Sequence, residues 1–87
     1  MLFQPGQVVA TPGALELGEL GVDILTYLLR HLSGDWGDLD QHDRQENDQS
    51  VDYGYRVFSA YETDQGRLWI ITEADRSATT ILRPSEY

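Results

Sequence analysis

The stretch Tyr55–Arg83, YRVFSAYETDQGRLWIITEADRSATTILR, decides the fold. Three runs rich in aromatic and β-branched residues are separated by two turn sequences, one ending at Gly66 and one at residues 75–77. This pattern predicts three antiparallel strands joined in a β-meander. The predicted strands are Tyr55–Glu62, Arg67–Glu73 and Ala78–Arg83.

The residues before the meander predict helices. Thr11 followed by Pro12 is a typical helix start, because threonine caps free amides and proline lacks an N–H that would have no partner there. A second helix is predicted over Val22–Leu32, where His31 would act as a cation in the last turn. Its apolar stripe, at steps of three and four residues and widened by Ile24 and Tyr27, consists of Val22, Leu25, Leu28, Leu29 and Leu32.

The expected fold class is therefore α+β, with N-terminal helices packed on a three-stranded antiparallel meander in two layers. Gln7–Ala10 is a candidate for an additional short strand. The chain has 87 residues, which is the size of a single domain, and its 40% hydrophobic content is typical of a globular protein. Cysteine is absent, which excludes disulfides, thiolate metal sites and cysteine nucleophiles.

The chain is strongly acidic, with a net charge of −9 and arginine as its only basic residue type besides two histidines. A field of this sign repels phosphate, so direct nucleic-acid binding and attachment to an anionic membrane are disfavoured. No apolar stretch is long enough to span a bilayer. The first six residues, 1–6, lack the basic start and apolar run of a secretory signal, so a cytoplasmic location is expected.

Residues 34–52, which we call the acidic segment, carry most of this charge. Seven carboxylates stand against the single basic residue Arg44, so the segment has a net charge of −6 out of the −9 of the chain. Asp38 or Asp40 can cap a helix over 41–50. Because the segment has almost no apolar face, we expect either a solvated helix or an ordered loop tied down at its ends.

The acidic segment is the candidate binding surface, and a basic protein surface is the expected partner. Carboxylates spaced along a surface can imitate a nucleic-acid backbone and occupy the basic groove of another protein. The candidate residues, with the tryptophan as apolar anchor, are Asp35, Trp36, Asp38, Asp40, Asp43, Glu46 and Asp48. The alternative is that the charge only provides solubility. The segment lacks the EF-hand order of acids and glycine, so neither a metal nor a cofactor is predicted.

Three stretches carry a resemblance that spans nearly the whole chain. They are TPGALE at 11–16, GDWGDLD at 34–40, and ITEADRSATTIL at 71–82 with PSEY at 84–87. Together they resemble a family of small bacterial proteins, uncharacterised in function, that are found on plasmids and integrated mobile elements. The resemblance implies a bacterial cytosolic setting and supplies no functional residues.

A second functional hypothesis follows from the layout of helices before a meander, which is similar to that of barnase- and RelE-like ribonuclease toxins. Such enzymes use a base to take the 2′-hydroxyl proton and cations to stabilise the charge that develops on the phosphate. The candidate catalytic residues would be Glu73, Arg76 and His42, with Arg56 and Arg67 as further cations. The negative charge of the chain opposes capture of such a substrate.

Overall fold

Three helices and one four-stranded sheet make up the computed structural model, which describes all residues from 1 to 87. The helices are α1 (Pro12–Glu19), α2 (Ile24–Leu32) and α3 (Gln41–Tyr53). The strands are β1 (Gln7–Ala10), β2 (Val57–Thr63), β3 (Gly66–Thr72) and β4 (Ala78–Leu82), followed by a 3-10 turn at Pro84–Glu86. None of the helices combines the length and hydrophobicity that crossing a bilayer requires.

The strand order in the sheet is β1-β4-β3-β2. Strands β2, β3 and β4 are antiparallel neighbours, as the turn sequences predict. The candidate strand β1 is also present, and it pairs with β4 in parallel. The prediction of an α+β fold is confirmed, but the sheet is mixed and has four strands rather than three. Since β1 and β4 lie about 70 residues apart in sequence, no local turn signal indicates this pairing.

Helix α1 forms as its sequence predicts. The Thr11 side chain accepts a hydrogen bond from the Ala14 N–H at 3.2 Å, and Pro12 occupies the first helical position. Ala14 and Leu17 of this helix are buried against the helix-bearing side of the sheet, where they share one core cluster with Tyr61, Leu68, Ile70 and Ile81. The helix therefore contributes directly to the main hydrophobic core.

Helix α2 buries only part of the predicted apolar stripe. The residues that pack inward are Ile24, Tyr27, Leu28, His31 and Leu32. Leu25 and Leu29 are exposed, so their assignment to the core stripe is wrong. Leu25 and Leu29 follow the same helical period as the buried residues, and the period alone does not fix the limits of the buried face. Polar groups on the strands favour the face that carries His31.

His31 is fully buried and joins a chain of hydrogen bonds across the sheet. Its Nδ1 lies 2.5 Å from Ser59 Oγ, and its Nε2 lies 2.9 Å from Thr72 Oγ1. Thr72 Oγ1 is 2.7 Å from Thr79 Oγ1, which donates to the Pro5 carbonyl at 2.7 Å. Along this chain of donors Nε2 carries the ring proton. Burial, together with the charge of Arg76, lowers the pKa of His31 to about 4, so the predicted cationic role is wrong.

Candidate functional site at the acidic edge

The acidic segment runs along the outer edge of β2, which we call the acidic edge. Residues 36–38 pair with the strand like a short additional strand: the Asp38 N–H donates to the Ala60 carbonyl at 2.7 Å, and the Ala60 N–H donates to the Trp36 carbonyl at 3.3 Å. Between them Gly37 has a φ of 77°, and a Cβ at this position would lie 2.1 Å from the Ala60 oxygen. Only glycine allows this close approach.

Two polar side chains complete the hydrogen bonding of the same edge. The buried amide of Asn47 donates to the Phe58 carbonyl at 2.5 Å and accepts from the Phe58 N–H at 3.1 Å. The Asp38 carboxylate accepts from the Glu62 N–H at 2.7 Å. The outward N–H groups of residues 58, 60 and 62 are thus all satisfied, and the edge offers no free N–H there for another strand. The sequence analysis did not identify Asn47. The one signal for it is that a polar residue occupies the inward face of a helix that has few apolar residues.

Helix α3 is held by caps and polar contacts rather than by an apolar face. The Asp40 side chain accepts from the Asp43 N–H at 2.8 Å, which confirms Asp40 as one of the two predicted caps. The helix extends three residues beyond the predicted end and stops at Gly54, which is left-handed. Arg76 donates to the Ser50 carbonyl at 2.9 Å, so a cation lies at the negative end of the helix.

Trp36 lies inside the molecule and does not contribute to the surface. Its side chain is 4% exposed and stacks on Phe3 with ring centroids 6.4 Å apart. Its indole N–H donates to Asp48 at 2.9 Å. The expectation that Trp36 anchors a partner is therefore wrong for the folded chain, because the ring fills the second core cluster beside Leu32 and Val57.

Exposed aromatic residues instead lie at the end of helix α3. Tyr53 and Tyr55 are 70% and 62% exposed, and their ring centroids are 6.3 Å apart. Their position directly follows Asp52, so the acidic segment ends beside a pair of accessible rings.

The candidate carboxylates divide into two groups by what they contact. Four of them hold the local structure: Asp35, Asp38, Asp40 and Asp48. The first of these pairs with Arg30 at 2.6 Å, and this hydrogen bond holds the pKa of Asp35 below its usual range. No backbone N–H donates to the carboxylates of Asp43, Glu46 or the neighbouring Asp52. The Glu46 carboxylate contacts only His42, with Oε1 3.1 Å from Nε2.

The arginines of the sheet do not neutralise the acidic segment. Three of them pair with other carboxylates: Arg56 with Glu73, Arg67 with Glu62, and Arg83 with Glu16. Within the segment, Arg44 donates to the Gly37 carbonyl. The carboxylates from residue 38 to residue 52 therefore form no ion pair with any arginine.

The structure separates His42 from the other candidate ribonuclease residues. His42 lies at the start of helix α3, whereas Arg76 contacts Ser50 near its end. The offset of eight residues between these two positions corresponds to about 12 Å along the helix axis. Glu73 pairs with Arg56 at 3.7 Å, and the Arg76 guanidinium donates to main-chain carbonyls. Glu73, Arg56 and Arg76 therefore lie close together, but His42 does not join them.

Two further features bear on ligand binding. Ligand atoms of His42, Asp43 and Glu46 lie within 4.8 Å of one another, but exposed carboxylates at a helix start commonly cluster in this way and do not define a metal site. On the sheet face opposite α1 and α2, a pocket of about 360 Å³ is lined by Arg56, Phe58, Trp69, Ile71 and Tyr87. Its only charged group already donates to the Tyr87 hydroxyl at 2.9 Å.

Fold and site together define a small acidic α+β domain in which charge is concentrated along one sheet edge. Comparison of the chain with protein-family models, curated proteins and solved structures finds no match. The functional conclusion below rests on the contacts and charges of the chain's own residues.

Proposed function

We propose that this chain is a small acidic protein-binding module of bacterial mobile-element type, in which the acidic segment binds a basic surface of another protein. One observation carries the proposal: the segment gathers a net charge of −6 along one edge of the sheet, and the carboxylates from residue 38 to 52 have no arginine partner. A purely solubilising charge does not require such concentration on a single edge.

Helix α3 is the centre of the proposed surface. Asn47 and Ser50 are buried and Asp43 on the same stripe is half-buried, while the other polar side chains of the helix are exposed. Among these, Asp43, Glu46 and Asp52 have no structural hydrogen bond to lose when they meet a cation. We therefore propose that these three carboxylates contact the partner directly. The other four carboxylates of the acidic segment would add to the negative potential without contacting the partner.

The exposed pair Tyr53 and Tyr55 takes the place that the sequence suggests for Trp36. Tyrosine is frequent at the energetic centres of interfaces, because its ring buries a large area with few rotatable bonds and its hydroxyl stays hydrated. A basic groove of the partner would contact the carboxylates along helix α3 and these two rings at its C-terminal end. Arginine side chains of the partner can also stack on such rings.

Electrostatic attraction would supply both the rate and the selectivity of binding. A concentrated negative edge steers a basic surface toward it and slows approach of nucleic acid to the same protein. Such binding weakens with salt, since exposed charges separated by more than about 8 Å are screened at physiological ionic strength. Occupation of a nucleic-acid groove by the acidic edge is the form of inhibition that this geometry supports best.

The proposal is tested with isosteric amides at the three unengaged carboxylates: Asp43→Asn, Glu46→Gln and Asp52→Asn together. A matched control removes the same three charges elsewhere: Glu16→Gln, Glu19→Gln and Asp64→Asn. Proteins captured from a bacterial lysate by the unmodified chain are identified, purified and titrated with all three forms at about 50 mM and about 300 mM salt.

We expect the captured proteins to be basic and the triple amide variant to bind them at least about tenfold more weakly at low salt. The control is expected to change affinity by less than about threefold, because its charges lie outside the proposed interface. Equal affinity of the triple variant and the unmodified chain, or loss of the same size in the control, would contradict the proposal.

A further inference from the structure

The outer edge of β1, which we call the open edge, has unpaired backbone groups. The Gln7 N–H donates to the Ser77 carbonyl and the Thr11 N–H to the Ile81 carbonyl, each at 3.0 Å. Because alternate residues of a strand face opposite edges, positions 7, 9 and 11 face β4, while the N–H and C=O groups of Val8 and Ala10 point away from the sheet. No other part of the chain forms hydrogen bonds with these four groups.

Within its four residues this edge strand carries no charge, proline or bulge to protect it from pairing. Residues 1–15 contain no charged side chain, although the chain as a whole carries −9. Val8 and Val9 are 45% and 42% exposed, and neither proline, bulge nor covering segment interrupts the strand. Natural proteins usually place charges or prolines on such edges, because an exposed apolar edge is a template for another strand.

We propose that β1 pairs in antiparallel orientation with β1 of a second copy of this chain, across a two-fold axis. In the register that places Val8 opposite Ala10 of the second copy, all four outward groups of each strand are used and four hydrogen bonds form. Val9 then lies opposite Val9 of the second copy at the axis. A shift of two residues in either direction would leave groups on both strands without a partner in the other.

The charge distribution selects a second copy as the occupant. Joining two chains at their open edges gives an eight-stranded sheet in which the two β2 strands are seven spacings apart, about 34 Å at about 4.8 Å per spacing. This distance is several times the screening length of about 8 Å at physiological salt, so the two acidic edges scarcely repel each other. The uncharged β1 strand, in turn, offers no charge by which a basic partner would be selected.

The decisive experiment uses single cysteines, because the chain contains none of its own. Opposed residues at the axis lie within the Cα separation of about 4.4–6.8 Å that a disulfide spans, so Val9→Cys should form a disulfide-linked dimer under mild oxidation. Gln7→Cys is the matched control on the same side of the strand. In the proposed register two residues at position 7 lie about 14 Å apart, beyond disulfide reach.

We expect Val9→Cys to cross-link at least about tenfold faster than Gln7→Cys. Sedimentation equilibrium of the unmodified chain should show a mass that rises with concentration from 9.9 kDa towards twice that value. Val9→Lys should abolish this rise, because it places like charges directly opposite each other, whereas Gln7→Lys should retain it. Circular dichroism establishes that each variant is folded.

Three results would overturn the proposal. Equal cross-linking at positions 7 and 9 would refute the register, and a constant mass of 9.9 kDa at every accessible concentration would refute self-association. An unchanged dimer in folded Val9→Lys would place the interface elsewhere. None of these results bears on the acidic edge, so failure here and failure of the proposed function can be told apart.

Discussion

The two edges of the sheet differ in whether their outward backbone groups have hydrogen-bond partners. At the acidic edge, side chains and a short stretch of main chain satisfy the outward N–H groups of β2. At the open edge, the outward groups of β1 remain bare and the surrounding residues are uncharged. Several carboxylates of the acidic segment therefore accept hydrogen bonds that hold the fold, and the same groups bring negative charge to this edge.

Replacement of Asn47 should have the largest effect, because this side chain satisfies backbone groups at the acidic edge. Asn47→Ala leaves the N–H and C=O of Phe58 without partners in a part-buried position, and we expect a loss of about 3 kcal/mol in the free energy of unfolding. Urea denaturation measures the loss, and hydrogen exchange at Phe58 should accelerate with it. The exposed Gln45→Ala in the same helix is the control and should change stability by less than about 0.5 kcal/mol. Similar effects of both variants would show that Asn47 does not close the edge.

Lowering the pH should destabilise the chain through His31 before it affects the ion pair of Asp35. His31, whose hydrogen-bond chain ends at Pro5 just before β1, has a pKa of 6.5 when unfolded and about 4 when folded. The unfolded chain therefore binds the extra proton first, and the free energy of unfolding should fall by about 3 kcal/mol as the pH drops from 6.5 to about 4. The ion pair of Asp35 near the acidic edge is lost only below the ordinary carboxyl range, because the pKa of Asp35 is lowered.

Urea denaturation across this pH range checks the second prediction. His31→Gln keeps a polar side chain but cannot titrate, so its stability should vary much less between pH 6.5 and 4 than that of the unmodified chain. A slope that persists in the variant would show that other groups dominate the pH dependence.

The smallest expected effect concerns the cap of helix α3. Asp40→Ala removes the acceptor for the Asp43 N–H and should cost about 1 kcal/mol. Asp52→Ala is the matched control, because it removes the same charge near the negative end of the helix, where a carboxylate is unfavourable. Thermal unfolding should show a lower melting temperature for the first variant and an equal or slightly higher one for the second. An equal decrease in both would mean that lost charge, rather than the cap, is responsible.

Features encoded by neighbouring residues could be predicted from the sequence. The three strands of the meander follow from runs of β-branched residues between turn sequences, and the caps at Thr11 and Asp40 follow from side chains that reach a nearby N–H. The location of charge in the acidic segment is likewise a property of the sequence itself. These elements require only local geometry.

Features that depend on contacts between distant residues could not be predicted. The parallel pairing of β1 with β4 and the hydrogen bonds of Asn47 to Phe58 join segments whose proximity no local pattern indicates. Helical periodicity predicts an apolar stripe on α2 but does not fix its limits, and the fold leaves Leu25 and Leu29 exposed while it buries His31. The burial of Trp36 follows in the same way from its distant contact with Phe3.

Arg76 links the chain segments that lie behind the two edges. Its backbone is left-handed at φ 59°, its guanidinium donates to the carbonyls of Ser50 and Tyr55, and it lies 5.2 Å from the centre of the Phe3 ring. The adjoining Ser77 accepts the first hydrogen bond of the parallel strand pair from Gln7. One side chain thus contacts the end of helix α3, the residues that lead into β2 and the Phe3 ring, and it directly precedes the residue that holds the start of β1.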